Sequence, residues 1–469
     1  MDTILAATTI HQKRRALDKM ANGLGLQDAY STTLDRIKQL DGGRSKLGMD
    51  ALMWVSHCER PLRSEELCHA LGIELEAEDF TVDNVPLLQT VLGCTLGLVV
   101  IDEYASTVRL LHLTLQEYLG TSPTVFATPQ SMMAEVCLTY LDSPSVRGRR
   151  SKALLASPFL EYATCFWGTH AAGEVTQQVK SWALRLLDGY VSAAVLWREK
   201  IRGRYFEGDV KGISGLHCIA FLGIAEIAVA MLGEKRWDVN GHDSWGQTPL
   251  MWAVRYRNYR VAELLLEQAD IRPDVAIWGS RTLFSFAAES GDERAVRVLL
   301  EGGGVNPDSA DSSGRTPLSF AVARGQEDVV RLLLEHEGVN PDSADSGGRT
   351  PLSFAIARGQ EGVVRLLLER RGFNPNSTDG GGRTPLSFAI ARGQEGVVRL
   401  LLEHGGVNPD SPNSNGRTPL SLAVLRGRQG IVKLLLERGN VNPNSSDKDG
   451  RTPLSLAVLR GYQGSEAAS

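Results

Sequence analysis

Apolar and polar positions in the second half of this chain follow a pattern that keeps returning. In residues 314–345, Leu318, Phe320, Ala321 and Val322 crowd into one short stretch, and Val329, Val330, Leu333 and Leu334 follow after a glycine. Apolar residues at such spacing line one face of a helix, so the unit predicts two short amphipathic helices in succession. Thr316 offers an N-cap hydroxyl to the first helix, and Pro317 follows where its missing N–H is no loss. Gly325 stands where the chain must turn through positive φ to end that helix. Glu327 and Asp328 fall in the first turn of the second helix, where the helix dipole favours acids. The stretch EGVNPDSADSGG at 337–348 carries Asn-Pro and Ser-Gly pairs, which mark a reversing hairpin.

The pattern is a true repeat. GGRTPLSFAIARGQEGVVRLLLE occurs letter for letter at 347–369 and 381–403, and 313–335 differs from it only at Ser313, Val322 and Asp328. Units begin at Ser214, Thr248, Thr282, Thr316, Thr350, Thr384, Thr418 and Thr452, each 34 residues after the last. That gives seven complete units and an eighth that stops at Ser469. Helices of about ten residues are marginal in water by themselves. Stacking identical units solves the problem, because each apolar face is covered by the next copy.

The pattern G-x-TPL-x-x-A, then G, then VV-x-LLL, resembles the ankyrin repeat, whose unit is two antiparallel helices and a projecting hairpin. Two departures stand out. The family's His after Thr-Pro-Leu is Ser at 319, 353, 387, 421 and 455 and Met at 251, and the period is 34 rather than 33. The resemblance covers 212–469 and implies a mainly α fold, an ankyrin-repeat α-solenoid. The terminal GYQGSEAAS supplies no polar capping unit, so the last half-unit is expected to fray.

The first 211 residues have a different texture. Residues 8–40 read as helical and are broken by DGGRS; further helices are expected at 45–58, 63–72 and near 84–94. GLVVID, the turn EYAST and VRLLHL then read as a hairpin, and LQEYLG as a short helix. Three helices followed by a two-stranded wing resemble a winged-helix domain. The phrases LDRIKQL, GMDALMWVSHCERPLRSEELCHALGIE, VRLLHLTLQEYL and SPFLEYATCFWGTHA, over about 15–170, are also similar to the winged-helix segment behind the NACHT ATPase of fungal NLR-like (STAND) proteins, some of which end in ankyrin arrays. The expected organisation is a helical segment at 1–44, a winged-helix-like domain at 45–126, an α-helical connector at 127–211 and repeats at 212–469. In the connector, Phe159, Tyr162, Phe166, Trp167 and Trp182 are expected to pack rather than bind.

Each resemblance raises a chemistry that the residues can be tested against. Nucleotide binding needs GxxxxGK[ST], and no such string occurs; DGGRSK at 41–46 has the wrong spacing and reads as a turn. The chain therefore reads as the part that follows the ATPase, either a truncated family member or a fragment. DNA-reading winged helices are basic, whereas 46–126 holds twelve acids against four bases, which argues against phosphate binding. Relatives of this segment also stand beside hydrolases, yet the GxSxG elbow is absent and GISGL at 212–216 misses its spacing. No HExxH or Cys/His zinc spacing is present; His57 and His69, near Cys58 and Cys68, read as packed side chains. No enzyme activity, cofactor or metal is expected.

Six scattered cysteines without a CxxC pair indicate reduced thiols. An apolar run that is short, and precedes rather than follows its basic cluster, does not make MDTILAATTIHQKRR a secretory signal. No apolar window of spanning length occurs, and the net charge of −5 invites neither membrane nor nucleic acid. A cytoplasmic location is expected.

Arginine recurs at two places in the unit: Arg281, Arg315, Arg349, Arg383, Arg417 and Arg451 precede the cap, and Arg324, Arg358, Arg392, Arg426 and Arg460 follow eight residues after it. In the ankyrin resemblance both positions border the concave groove. Two readings stand. The rows grip carboxylates of a partner protein with an acidic surface, or they pair internally with Asp311, Asp345, Asp379 and Asp447. The function expected is protein–protein interaction within NLR-like signalling or self/non-self recognition; the alternative is a nucleic-acid-binding regulator acting through the winged helix.

Overall fold

A computed structural model describes residues 24–75, 77–122, 125–147, 158–189, 212–276, 280–370 and 373–459. Residues 8–23 of the helix expected over 8–40, Arg460 and the rest of the last half-unit after Leu459 lie outside them. The chain divides into two compact units, the division falling after Trp245.

The first unit starts with helices α1 (Leu24–Lys38) and α2 (Gly43–His57), a two-residue strand β1 (Leu62–Arg63) and α3 (Ser64–Leu71). Then come α4 (Leu88–Cys94), strands β2 (Val99–Asp102) and β3 (Thr107–Leu110), and α5 (Leu113–Thr121). The strands form an antiparallel sheet in the order β1-β3-β2, with Leu62 opposite Val108 and Val99 opposite Leu110. The hairpin was legible in the sequence; β1, only two residues long, leaves no periodicity to read. Helix α2 carries the core through Ala51, Leu52, Met53, Trp54 and Val55. Gly48 lets it approach α4 so closely that a Cβ would lie 2.5 Å from the Cys94 carbonyl oxygen.

Helices α6 (Pro129–Asp142), α7 (Pro144–Arg147), α8 (Leu160–Ala171) and α9 (Gln177–Gly189) follow. Trp54 of α2 meets Phe159 and Tyr162 edge-on, with ring centroids 5.5 and 5.8 Å away. The connector aromatics Phe159, Tyr162 and Trp167 are buried, which is packing. A buried polar chain adds direction to this apolar joint. The Tyr162 hydroxyl accepts from the Glu59 N–H at 3.1 Å and lies 2.9 Å from His170 Nε2, whose Nδ1 meets the Gln130 side-chain oxygen. Burial drives the His170 pKa down to about 4, so its imidazole is neutral at pH 7. Tyr162 then donates to Nε2 and the Nδ1 proton goes to Gln130. The first repeat, α10 (Gly215–Leu222) and α11 (Ala225–Gly233), belongs to this unit and packs on α9. Gly168 of α8 leaves the space that Leu222 fills.

The second unit is built of helix pairs. The first helices are Pro249–Arg255, Leu283–Ser290, Pro317–Arg324, Pro351–Arg358, Pro385–Arg392, Pro419–Leu425 and Pro453–Leu459. Their partners are Tyr259–Leu266, Glu293–Gly302, Glu327–Glu335, Glu361–Glu369, Glu395–Glu403 and Gln429–Glu437. Local expectations hold: the Thr316 hydroxyl accepts from the Ser319 N–H at 3.3 Å, and Gly325 closes the helix at φ 75°. The Ser that replaces the family's His keeps the cap closed, since the Ser387 hydroxyl donates to the Thr384 carbonyl at 2.9 Å. Leu318, Val322, Val330 and Leu333 are completely buried between units.

Two inter-unit devices were not read from the sequence. The first uses Gln360, which follows the glycine cap of its own unit. With its amide turned so that nitrogen faces the Val322 carbonyl, Gln360 donates there at 2.7 Å and accepts from the Gly325 N–H at 3.1 Å, and so caps the preceding unit's first helix. In the second, Glu327 lies over Gly362 at the start of the next outer helix, where a Cβ would fall on its carboxylate. Glu361 does the same over Gly396, and Glu395 over Gly430.

The hairpins are joined by a ladder. Asp308 accepts the Asn340 N–H at 2.8 Å, and Asp342 accepts that of Asn374 at 3.0 Å. Burial raises the Asp308 carboxyl above its ordinary pKa, an effect the Asn340 amide only partly offsets. Its second oxygen is buried without a partner. One rung already carries the alternative: Asn376 accepts from the Asn408 N–H at 2.8 Å while its amide donates to the Gly406 carbonyl at 2.7 Å. Asp308→Asn is therefore expected to stabilise the array by about 1 kcal/mol at pH 7. Because burial raises the folded-state pKa of Asp308, the wild type recovers as pH falls through that value, so the advantage should shrink toward pH 4. Thermal melts at the two pH values check both the sign and the trend.

Candidate interaction surface of the repeat array

The cap position fixes where each arginine stands. One residue before the Thr, the chain leaves the hairpin; eight after it, the first helix ends. Residues of the first row meet their own hairpin. Asp311 accepts from the Ser313 and Arg315 N–H groups at 2.8 and 2.9 Å through one oxygen, and from the Arg315 guanidinium at 2.9 Å through the other. The same ring of bonds recurs at Asp345 with Arg349, and at Asp379 with Arg383, the guanidinium contacts both being 2.7 Å. Burial alone would raise these three carboxyls, yet the arginine and backbone hydrogen bonds outweigh it and hold each below the ordinary value.

Where the acid changes, the arginine moves. Asn413 occupies the hairpin position before Arg417, and Arg417 reaches instead to Asp447 of the next unit at 3.3 Å. Arg451 then takes Asp449 at 3.5 Å. Arg281 pairs with Glu289 and sets its guanidinium carbon over the Phe286 and Phe320 rings, 4.1 Å from each centre. Arg315, Arg349 and Arg383 cover Phe320, Phe354 and Phe388 at 4.6, 5.0 and 5.2 Å.

The second row divides. Arg324 meets Glu289 at 2.8 Å. That acid has no counterpart later, because the equivalent positions are Ala323, Ala357 and Ala391. Among the described residues, no carboxylate stands within ion-pair distance of Arg358, Arg392 or Arg426, all three exposed. Arg392 rests over Phe388 at 5.4 Å. Sequence reasoning set the two rows side by side as equals. A check of the residue four before, or 35 before, each arginine would have separated them.

Other candidates are absorbed by the fold. His57 Nδ1 turns to the Met53 carbonyl and Ser56 hydroxyl of its own helix, and His69 Nδ1 to the Glu65 carbonyl. Burial pushes the Cys58 thiol up to about 11. Ser214 caps the first repeat's helix, its hydroxyl 2.8 Å from His217 Nδ1.

Comparison with protein families matches residues 198–276, 284–379, 371–447 and 406–466 to ankyrin repeats, together more than half of the chain. The chain belongs to the ankyrin-repeat family. Residues 34–127 match the winged helix domain of GPI inositol-deacylase. Among solved structures, this ankyrin-repeat protein is similar to the ankyrin repeat domain of Bcl-3, described as a unique member of the IkappaB protein family. Identity is 27%, with 46% of this chain and 99% of that one covered at a TM-score of 0.43. A second is EF0377, an ankyrin repeat protein, at 29% identity, 38% and 92% coverage and a TM-score of 0.36. No curated protein matches. Ankyrin repeats are general protein–protein interaction modules, and among the described residues no helix is long and apolar enough to cross a membrane.

Proposed function

We propose that this ankyrin-repeat protein is a non-enzymatic interaction module that binds a partner protein through its first helices and hairpins. The observation that carries the reading is the repetition itself. Caps, glycines and apolar faces are spent on stacking, and at the ends of the first helices arginine recurs exposed in successive units, at 324, 358, 392 and 426. Exposed guanidinium groups suit carboxylates bidentately, which favours a partner with an acidic surface. A winged-helix segment at 34–127 in front of an ankyrin array supports a place in NLR-like signalling of the fungal NACHT (STAND) type, in the cytoplasm, with the array as the sensing end. The acidic balance of 46–126 weighs against a nucleic-acid role for the winged helix. The test is capture of a partner by the immobilised full chain, followed by mapping of which backbone amides that partner protects.

A further inference from the structure

Arg358, Arg392 and Arg426 occupy one position in three consecutive units and have no acid partner among the described residues. Each stands at or just beyond the end of a first helix, and those helices pack directly on one another. Packed helices lie about 8–10 Å apart, so the three charges recur at about that interval. The nearest acids along the chain, Glu361 and Glu395, are turned to the next unit's Gly396 and Gly430. Four residues before Arg358 and Arg392, on the same helical face, stand the half-buried Phe354 and Phe388, against which a ligand's rings compete with the Arg349 and Arg383 guanidinium groups.

Resting on the protein-binding reading above, we propose that this stripe binds an acidic, proline-rich segment of a partner in the polyproline II conformation, with a carboxylate at every third residue. The match is one of pitch. A polyproline II helix advances about 3.1 Å per residue with three residues per turn, so every third side chain lies on one face about 9 Å apart. An extended strand fails here, since every third side chain points to alternating sides. Proline rings between the acids meet Phe354 and Phe388, as proline-rich segments generally do on aromatic grooves. Three exposed ion pairs are individually weak, but joined on one stiff ligand they act together.

The probe is a labelled (Glu-Pro-Pro)4 peptide, titrated with the full chain by fluorescence anisotropy. Its control is a peptide of equal composition with the four glutamates grouped at one end. The periodic peptide is expected to bind about tenfold more tightly, and its affinity should fall with salt. The variant R358Q/R392Q/R426Q should lose about tenfold in affinity with an unchanged melting temperature. R315Q/R349Q/R383Q should melt earlier yet, measured below its transition, keep the affinity. Equal binding of the two peptides, or wild-type binding by R358Q/R392Q/R426Q, overturns the stripe. So does tighter binding of a single-stranded oligonucleotide of equal length, which would assign it to nucleic acid. None of these results touches the protein-binding reading, which partner capture and amide protection test separately.

Discussion

Replacing Arg60 by Met is expected to destabilise the first unit by about 3 kcal/mol at pH 7, because it strands a buried charge. Glu66 is completely buried, and Arg60 grips it with two bonds of 2.8 and 2.7 Å. Its remaining partners are the Arg63 N–H at 2.7 Å and the Arg63 guanidinium at 3.0 Å. Methionine keeps an apolar stem of similar length but also removes the guanidinium from the Tyr162 ring, 5.3 Å away, a contact that contributes less than the stranded charge. Burial alone would raise the Glu66 carboxyl, but the Arg60 and Arg63 bonds outweigh it and hold the group below its ordinary value. In the wild type that stabilisation is present above the unfolded-state value and fades as pH falls through the folded one. Without Arg60, burial prevails and Glu66 takes up its proton earlier. The gap between variant and wild type should therefore narrow toward pH 4. Urea unfolding followed by tryptophan fluorescence measures it, with Arg60→Met/Glu66→Gln expected to recover most of the loss. A deficit under about 1 kcal/mol, or one independent of pH, would show that the pair is not what ties this region together.

The second large effect concerns the hairpins. Asp345→Ala is expected to cost about 2 kcal/mol, since it leaves the Gly347 and Arg349 amides without the oxygen that accepts both at 2.9 Å. The array contains its own control. Asn413 holds the same two amides, those of Asn415 and Arg417, at 2.9 and 3.1 Å without a charge. Asp345→Asn should thus lose less than about 1 kcal/mol, the contribution of the Arg349 ion pair at a half-exposed site. Thermal melts of the two variants give the comparison. Equal losses would mean that the guanidinium contact, and not the backbone ring, closes the hairpin. Arginines of the first row would then be more expensive to replace than the account allows.

The repeat architecture was open to reading because its signals are local and repeated. Thr316, Pro317 and Gly325 each dictate a backbone conformation within a few residues, and the structure places cap, first turn and left-handed glycine at those positions. What escaped is the chemistry between units. Gln360 caps a helix whose closing Gly325 stands 35 residues earlier in the sequence, and nothing near Gln360 itself announces it. The glycines at 362, 396 and 430 look like weak points in a helix; they make room for a glutamate of the preceding unit. The arginine rows were found by periodicity, but their inequality lies in partners that periodicity hides, Asp345 for Arg349 and Ala323 for Arg358. The packing of α9 on the first repeat was also invisible, because Gln177–Gly189 has the apolar stripe of any amphipathic helix and its partner is not written in it.

Folding and the proposed binding fall to different letters of the same unit. Thr350, Gly359, Gln360 and Asp345 hold the shape; Arg358, Arg392 and Arg426 are left facing outward. On the proposed function, a partner protein is held by the repeats. Hydrogen exchange of the full chain, alone and with a captured partner, tests it most directly. The expected result is added protection in the first helices and hairpins within 317–459, with 24–122 unchanged. Protection confined to the winged-helix segment at 34–127, with the repeats unaffected, would contradict it.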